Sequence, residues 1–118
     1  ELTAERRKDA LRYLIEIKNP KIKLPEMQFG ELGHVFHLFV VYIEDRDNFM
    51  KYCNQKGIEL KIHYPQPPHL STAYEYLGYH VNDFPITEKM ADHIVSLPLY
   101  NGMETEKLEY VINVFNQY

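Results

Sequence analysis

Gly57-Ile58-Glu59-Leu60-Lys61-Ile62-His63-Tyr64-Pro65 is the stretch on which the reading of this chain turns. Ile58, Leu60, Ile62 and Tyr64 alternate with Glu59, Lys61 and His63, the period of a half-buried strand. Pro65, Pro67 and Pro68 follow. Proline lacks the N–H that a ladder needs, so the strand stops there and a stiff, extended loop begins. The segment thus hands a His63-Tyr64 pair, with His69 just beyond, to a rigid loop suited to presenting side chains to a ligand. From spacing alone two readings of the pair stay open. Either it contacts a ligand, or Tyr64 packs in the core and His63 faces water.

On the N-terminal side, Gly57 suits the left-handed cap of a helix. That helix is expected to start with Asp45 as its N-cap, run to about Gln55 and turn Phe49, Met50 and Cys53 inward. Val35 to Ile43 is apolar on both faces apart from His37, which predicts a strand central in its sheet. Glu1 to about Ile17 reads as a helix with Ala10, Leu11, Leu14 and Ile15 on one face, ended by Asn19-Pro20. Lys21 to Gly33, with Pro25 and Gly30, reads as a connector.

On the C-terminal side, a short helix over Ser71 to Tyr76 is expected, capped by Ser71 or Thr72 and closed by Gly78. Pro85 opens a further helix in which Ile86, Met90 and Ile94 recur every four residues. Ser96 to Tyr100 reads as a brief strand and Asn101-Gly102 as a turn. Leu108, Val111, Ile112 and Phe115 mark the inner face of a last helix. This order predicts one α+β domain over residues 1–118, a small, mostly antiparallel sheet covered by helices.

Composition excludes several classes. A length of 118 residues allows one domain with a small core. The net charge of -4 argues against the basic face that nucleic acid requires. No apolar run is long enough to cross a membrane, and no signal peptide is visible, so neither nucleic acid nor membrane is an expected partner. Cys53 is the only cysteine, so no internal disulfide can form, and a small buried hydrophobe in a cytoplasmic protein is the expectation. The chain opens at Glu1, already inside a helix, a pattern expected of a processed or truncated product.

The ionisable residues point to no catalytic set. His34 and His37 fall on opposite faces of a strand, prolines separate His63 from His69, and no Cys-x-x-Cys or His-Glu-x-x-His pattern occurs, so no metal site is expected. His37 reads as a core histidine bonded to a backbone carbonyl, and His80 and His93 as exposed, His93 late in a helix where a cation suits the dipole. There is no Gly-x-Ser-x-Gly elbow and no glycine-rich phosphate loop. Asp45/Asp47 and Glu104/Glu106 are explained as helix-start residues, and Arg6-Arg7-Lys8 as a solvated helix face.

An ordered set of motifs nonetheless runs along almost the whole chain. It comprises Glu5-Arg6-Arg7, His34-Val35-Phe36-His37-Leu38-Phe39-Val40-Val41, Asp45-Arg46-Asp47-Asn48-Phe49, Lys56-Gly57-Ile58, and His63-Tyr64-Pro65 with Pro68-His69-Leu70. It continues through Ala73-Tyr74, Leu77-Gly78, Asp83-Phe84-Pro85, Leu97-Pro98-Leu99-Tyr100, Gly102-Met103 and Tyr110-Val111-Ile112. In that order and spacing the chain resembles the C-terminal small domain of the DegT/StrS-type sugar aminotransferases, pyridoxal-phosphate enzymes of the aspartate-aminotransferase fold. Tyr42, where many relatives carry arginine, and Glu104, where a threonine cap is usual, depart from the pattern, with Thr105 left as a cap one residue later.

The resemblance implies a parent enzyme that transfers an amino group, usually from glutamate, to a keto nucleotide-linked sugar, as a homodimer. It implies that the cofactor lysine lies in a large N-terminal domain absent here. Lys51 and Lys61 lack the family's cofactor-lysine context, so this chain alone should hold no pyridoxal phosphate, carry no catalytic residue and be inactive. His63 and Tyr64, and more weakly His69, would line the nucleotide-sugar cleft as binding residues. A free-standing, non-catalytic α+β binding module is the competing expectation. With no large domain to cover it, the apolar face of the first helix and sheet should drive self-association or leave the fold marginal.

Overall fold

The computed structural model describes residues 1–27, 30 and 33–118. Part of the connector read over Lys21 to Gly33 therefore lies outside the described residues. The order is α1 (Leu2–Glu16), β1 (Phe39–Tyr42), α2 (Arg46–Gln55), two 3₁₀ turns (Pro68–Leu70 and Thr72–Leu77), α3 (Pro85–His93), β2 (Ile94–Leu97) and α4 (Thr105–Asn116).

β1 and β2 pair antiparallel, Phe39 opposite Leu97 and Tyr42 opposite Ile94. Each outer edge takes one further antiparallel bridge, Lys23 on Tyr42 and Lys61 on Ser96. The α+β architecture with a small antiparallel sheet is thus as the sequence reads, and β1 is central as expected. The strands are shorter than predicted, for local reasons. Phe36 adopts a left-handed φ of 47°, and the His34 ring takes the Phe36 N–H at 2.8 Å, so the Val35 to Ile43 run becomes a strand only from Phe39. Pro98 ends β2 at Leu97, so this strand starts two and ends three residues earlier than the predicted Ser96 to Tyr100. Gly57 to Tyr64 forms no strand; only Lys61 joins the sheet. Ile58 and Leu60 are still buried and Glu59 and Lys61 exposed, so the alternation reports burial without a full ladder.

The core lies between the sheet and α1, α2 and α4. Phe39, Val41, Val95 and Leu97 meet Tyr13, Phe49, Cys53, Leu108 and Phe115, and Tyr13 sets its ring edge-on to Phe39 at 5.2 Å. All four residues predicted for the inner face of α4 are buried. On α1 the inward row is Ala10, Tyr13 and Ile17; Ile15, expected inside, is 63% exposed. The Tyr13 hydroxyl crosses the core to donate to the Pro98 carbonyl at 2.7 Å, so a polar tip buried with its ring keeps a partner.

Helix ends follow local chemistry. The Ile58 N–H reaches the Cys53 carbonyl and the Gly57 N–H the Asn54 carbonyl, a Schellman cap closed by Gly57 at φ 75°. Ser71 accepts from the Ala73 N–H and Gly78 is left-handed, as the sequence implies. Asp45 holds the cap position of α2, but its carboxylate binds the Asn48 side chain. Glu104, not Thr105, occupies the cap position of α4, and its carboxylate pairs with Lys107. In α3, Ile86 and Met90 of the predicted stripe are exposed and only Ala91 is buried, while Ile94, expected to continue the helix, is half-buried and starts β2.

Gly57→Ala should lower stability by about 1 kcal/mol, because its surroundings are open and only the left-handed backbone resists a side chain. Phe49→Ala, which empties a fully buried ring site, should cost roughly 3–5 kcal/mol. Urea denaturation of both variants checks the order.

Candidate functional site

The stretch that leaves Lys61 builds the site. Both backbone groups of Lys61 bond Ser96, its N–H to the Ser96 carbonyl at 3.4 Å and its carbonyl from the Ser96 N–H at 2.7 Å. Two residues on, the His63 Nδ1 lies 2.9 Å from the Ser96 hydroxyl. His63 is half-buried, and its Nε2 has no partner among the described residues. Tyr64 is 70% exposed, with its ring nearly perpendicular to that of His63 at 5.4 Å. The alternation thus breaks at this pair, where the connecting peptide is cis. Tyr64 points to solvent and His63 toward the sheet, the reverse of the reading in which Tyr64 fills the core.

The prolines then carry the chain across α3. Tyr64, Gln66, Pro67 and Pro68 face Thr87, Met90, Ala91 and Ile94 across a groove of about 170 Å³. His69 lies deeper: its side chain is 7% exposed, and Nε2 sits 3.1 Å from a Glu88 carboxylate oxygen. Glu88 also accepts the backbone N–H groups of Asn82 and Phe84. One carboxylate therefore ties the 3₁₀ segment, the loop before α3 and α3 itself together. The Asn82 N–H does most to hold the Glu88 carboxyl below its ordinary range; burial opposes this, and His69 and the Phe84 N–H add to it. Beside it, Pro68, His69, Tyr74, Leu77, Tyr79, Phe84 and Thr87 line an aromatic groove of about 330 Å³.

Other candidates fall elsewhere. His37 is exposed, not a core histidine. His80 is exposed, but His93 is half-buried, stacked on Tyr42 at 5.0 Å with Nδ1 against the Lys89 carbonyl. Burial pushes the Cys53 thiol up to about 12, so it behaves as a small core hydrophobe. A larger groove, about 530 Å³, lies away from His63 between Gly57, Pro98, Tyr100 and Tyr110. Among the described residues no group of three or more His, Cys, Asp or Glu converges, and no helix is long and apolar enough to cross a membrane.

Every lysine is exposed, Lys61 paired with Glu59 and Lys51 on the outer face of α2. No lysine is buried, and Lys107, which lines the larger groove, is paired with Glu104. Sequence reasoning missed Ser96 and Glu88. A lone hydroxyl inside the apolar run Ile94-Val95-Ser96-Leu97 was the available signal for the first. Glu88, in the first turn after Pro85, offered only the weaker hint of a side chain reaching back to the helix start.

Comparison with known proteins gives one consistent result. The profile of the DegT/DnrJ/EryC1/StrS aminotransferase family matches residues 1–116. The dTDP-3-amino-3,6-dideoxy-alpha-D-galactopyranose transaminase of Aneurinibacillus thermoaerophilus is 41% identical over 113 residues, 96% of this chain and 30% of that protein. The erythromycin biosynthesis sensory transduction protein EryC1 of Saccharopolyspora erythraea is 38% identical over 104 residues, 87% of this chain and 28% of that protein. Among solved structures, Streptomyces venezuelae DesV in complex with a ketimine intermediate superposes with a TM-score of 0.88 at 30% identity, covering 98% of this chain and 31% of that one. The chain thus spans about 30% of the length of the relatives it matches.

The Glu88 clamp has a signed pH dependence. A carboxyl whose pKa is lower folded than unfolded stabilises fully above its unfolded pKa, and that stabilisation is lost as pH falls through the folded pKa. Glu88→Gln should therefore lower stability at neutral pH, and its deficit against the wild type should shrink as the pH falls toward about 3, below the ordinary glutamate range. Urea denaturation at several pH values measures the difference.

Proposed function

The chain belongs to the DegT/DnrJ/EryC1/StrS aminotransferase family, and from that membership we propose that it is the C-terminal small domain of a pyridoxal-phosphate-dependent sugar aminotransferase. In this reading the parent enzyme moves an amino group from glutamate to the keto carbon of a nucleotide-linked sugar, in the cytoplasm and as a homodimer. The large domain with the cofactor lysine lies outside these 118 residues. The observation that carries the reading is the His63-Tyr64 pair, a half-buried imidazole beside an exposed phenol, held at the sheet edge of a chain that matches nucleotide-sugar transaminases along its length.

The chain's own part is to form one lip of the substrate cleft. His63 donates a hydrogen bond from Nε2 to a diphosphate oxygen, a charge-assisted contact if the ring is protonated. Tyr64 lays its ring against the sugar and offers its hydroxyl to a sugar oxygen. Pro65 and Pro67 keep the pair extended and reduce the ordering cost of binding. His69 serves from beneath, holding the loop through Glu88. Pyridoxal phosphate supplies the amino-transfer chemistry in the parent, on residues this chain does not contain.

Two experiments test the reading. Joined to the N-terminal part of the Aneurinibacillus thermoaerophilus enzyme in place of its own C-terminal part, the chain should give a protein that binds pyridoxal phosphate and aminates a dTDP-linked keto sugar. A folded chimera that binds no cofactor would sink the proposal. Within an active chimera, His63→Ala should raise KM for the nucleotide-sugar roughly 10- to 100-fold, the worth of one hydrogen bond to a charged group. For the chain alone, borohydride trapping with pyridoxal phosphate should label the exposed lysines with none preferred.

A further inference from the structure

Ser96 is the one polar residue that is buried among the described residues, with only 4% of its surface exposed, in a strand otherwise made of Ile94, Val95 and Leu97. Its backbone N–H and carbonyl are both taken by Lys61. Its hydroxyl has a single partner there, the Nδ1 of His63 at 2.9 Å. A serine hydroxyl carries one proton to donate, and a buried donor left without an acceptor is costly.

Two arrangements satisfy the distance. In one, Nδ1–H donates to the hydroxyl oxygen. The buried O–H then has no acceptor, and Nε2 meets solvent as a bare lone pair, which repels an anionic oxygen. In the other, the hydroxyl donates to Nδ1. The buried proton is then satisfied, and the ring proton sits on Nε2, where it can be given to a ligand. Burial and recognition favour the same arrangement.

We propose that Ser96 is a positioning residue for His63. It donates to Nδ1, keeps the neutral ring in the Nε2–H tautomer and aims that N–H outward as a donor for a phosphate oxygen. The same residue fixes Lys61 through two backbone bonds, so ring orientation and segment register are set from one point on β2. The recognition half of this inference rests on the nucleotide-sugar reading above; the tautomer half does not.

The test is two-bond ¹H–¹⁵N correlation spectroscopy on the ¹⁵N-labelled chain at about pH 8.5, above the ordinary imidazole range. The expected result is a protonated Nε2 and an unprotonated Nδ1 shifted upfield by an accepted hydrogen bond. Ser96→Ala should move the Nδ1 resonance downfield while the amide spectrum stays folded, and Ser96→Thr should restore it. A wild-type Nδ1 that carries the proton, or an Nδ1 shift unchanged in folded Ser96→Ala, overturns the proposal. If Ser96→Ala does not fold, Ser96→Cys, a weaker donor of similar size, replaces it, and an Nδ1 shift unchanged there overturns the proposal. None of these shifts needs a ligand, so they stand apart from any failure of the sugar reading. In an active chimera, Ser96→Ala should raise KM for the nucleotide-sugar severalfold at unchanged kcat, with Ser96→Thr close to wild type.

Discussion

Everything in this fold hangs on the antiparallel pairing of Phe39–Tyr42 with Ile94–Leu97. Two four-residue strands are marginal by themselves, and a two-stranded sheet needs packing on a face to persist. Here the core-facing side chains Phe39, Val41, Val95 and Leu97 supply that face, and three helices cover it. The outer edges are finished by single bridges from Lys23 and Lys61, which shorten the open ladder. Residues far apart in sequence, from the connector, the 57–64 segment and the stretch after α3, thereby meet on one small frame.

The site stands on that frame through two polar anchors, one buried and one half-buried. Ser96 holds Lys61 and His63 from β2, and Glu88 gathers His69, Asn82 and Phe84 from α3. Arg46 adds a link between α2 and α3 by donating to the Ala91 carbonyl at 2.6 Å. A loop of prolines and aromatics has little apolar burial of its own, so these few hydrogen bonds set its position. The outward side of the same region is apolar: Tyr64, Tyr76, Val81 and Ile86 are mostly exposed. Concentrated apolar exposure of this kind is characteristic of interaction surfaces. On α1, Leu2 and Ile15 are exposed as well.

The legible parts of the sequence were those with a local cause. Gly57 announces a left-handed cap, Ser71 a capped turn and Pro85 a helix start, because each acts through its own backbone or an adjacent N–H. The inner face of α4 could be read because its period and its burial agree. Ile15 and Ile86 misled because periodicity identifies a face without saying which side the core takes. His37 reads as a core residue because its run is apolar, but the turn at Phe36 leaves it outside.

By itself the sequence determined the α+β class, the four α-helices, the left-handed cap at Gly57 and the presence of a histidine-tyrosine pair ahead of a stiff loop. Those features depend on short-range sterics and hydrogen bonds, which a residue and its neighbours specify. Only the tertiary structure decided that the 57–64 segment touches the sheet at one residue, that Tyr64 faces outward, and that Ser96 and Glu88 hold the loop. The Lys61 bridge, the Ser96–His63 contact and the Glu88–His69 contact each join residues between 19 and 35 apart in the chain. A buried hydroxyl or a half-buried carboxylate takes whatever donor or acceptor the packed chain brings to it, and no local pattern names that partner in advance.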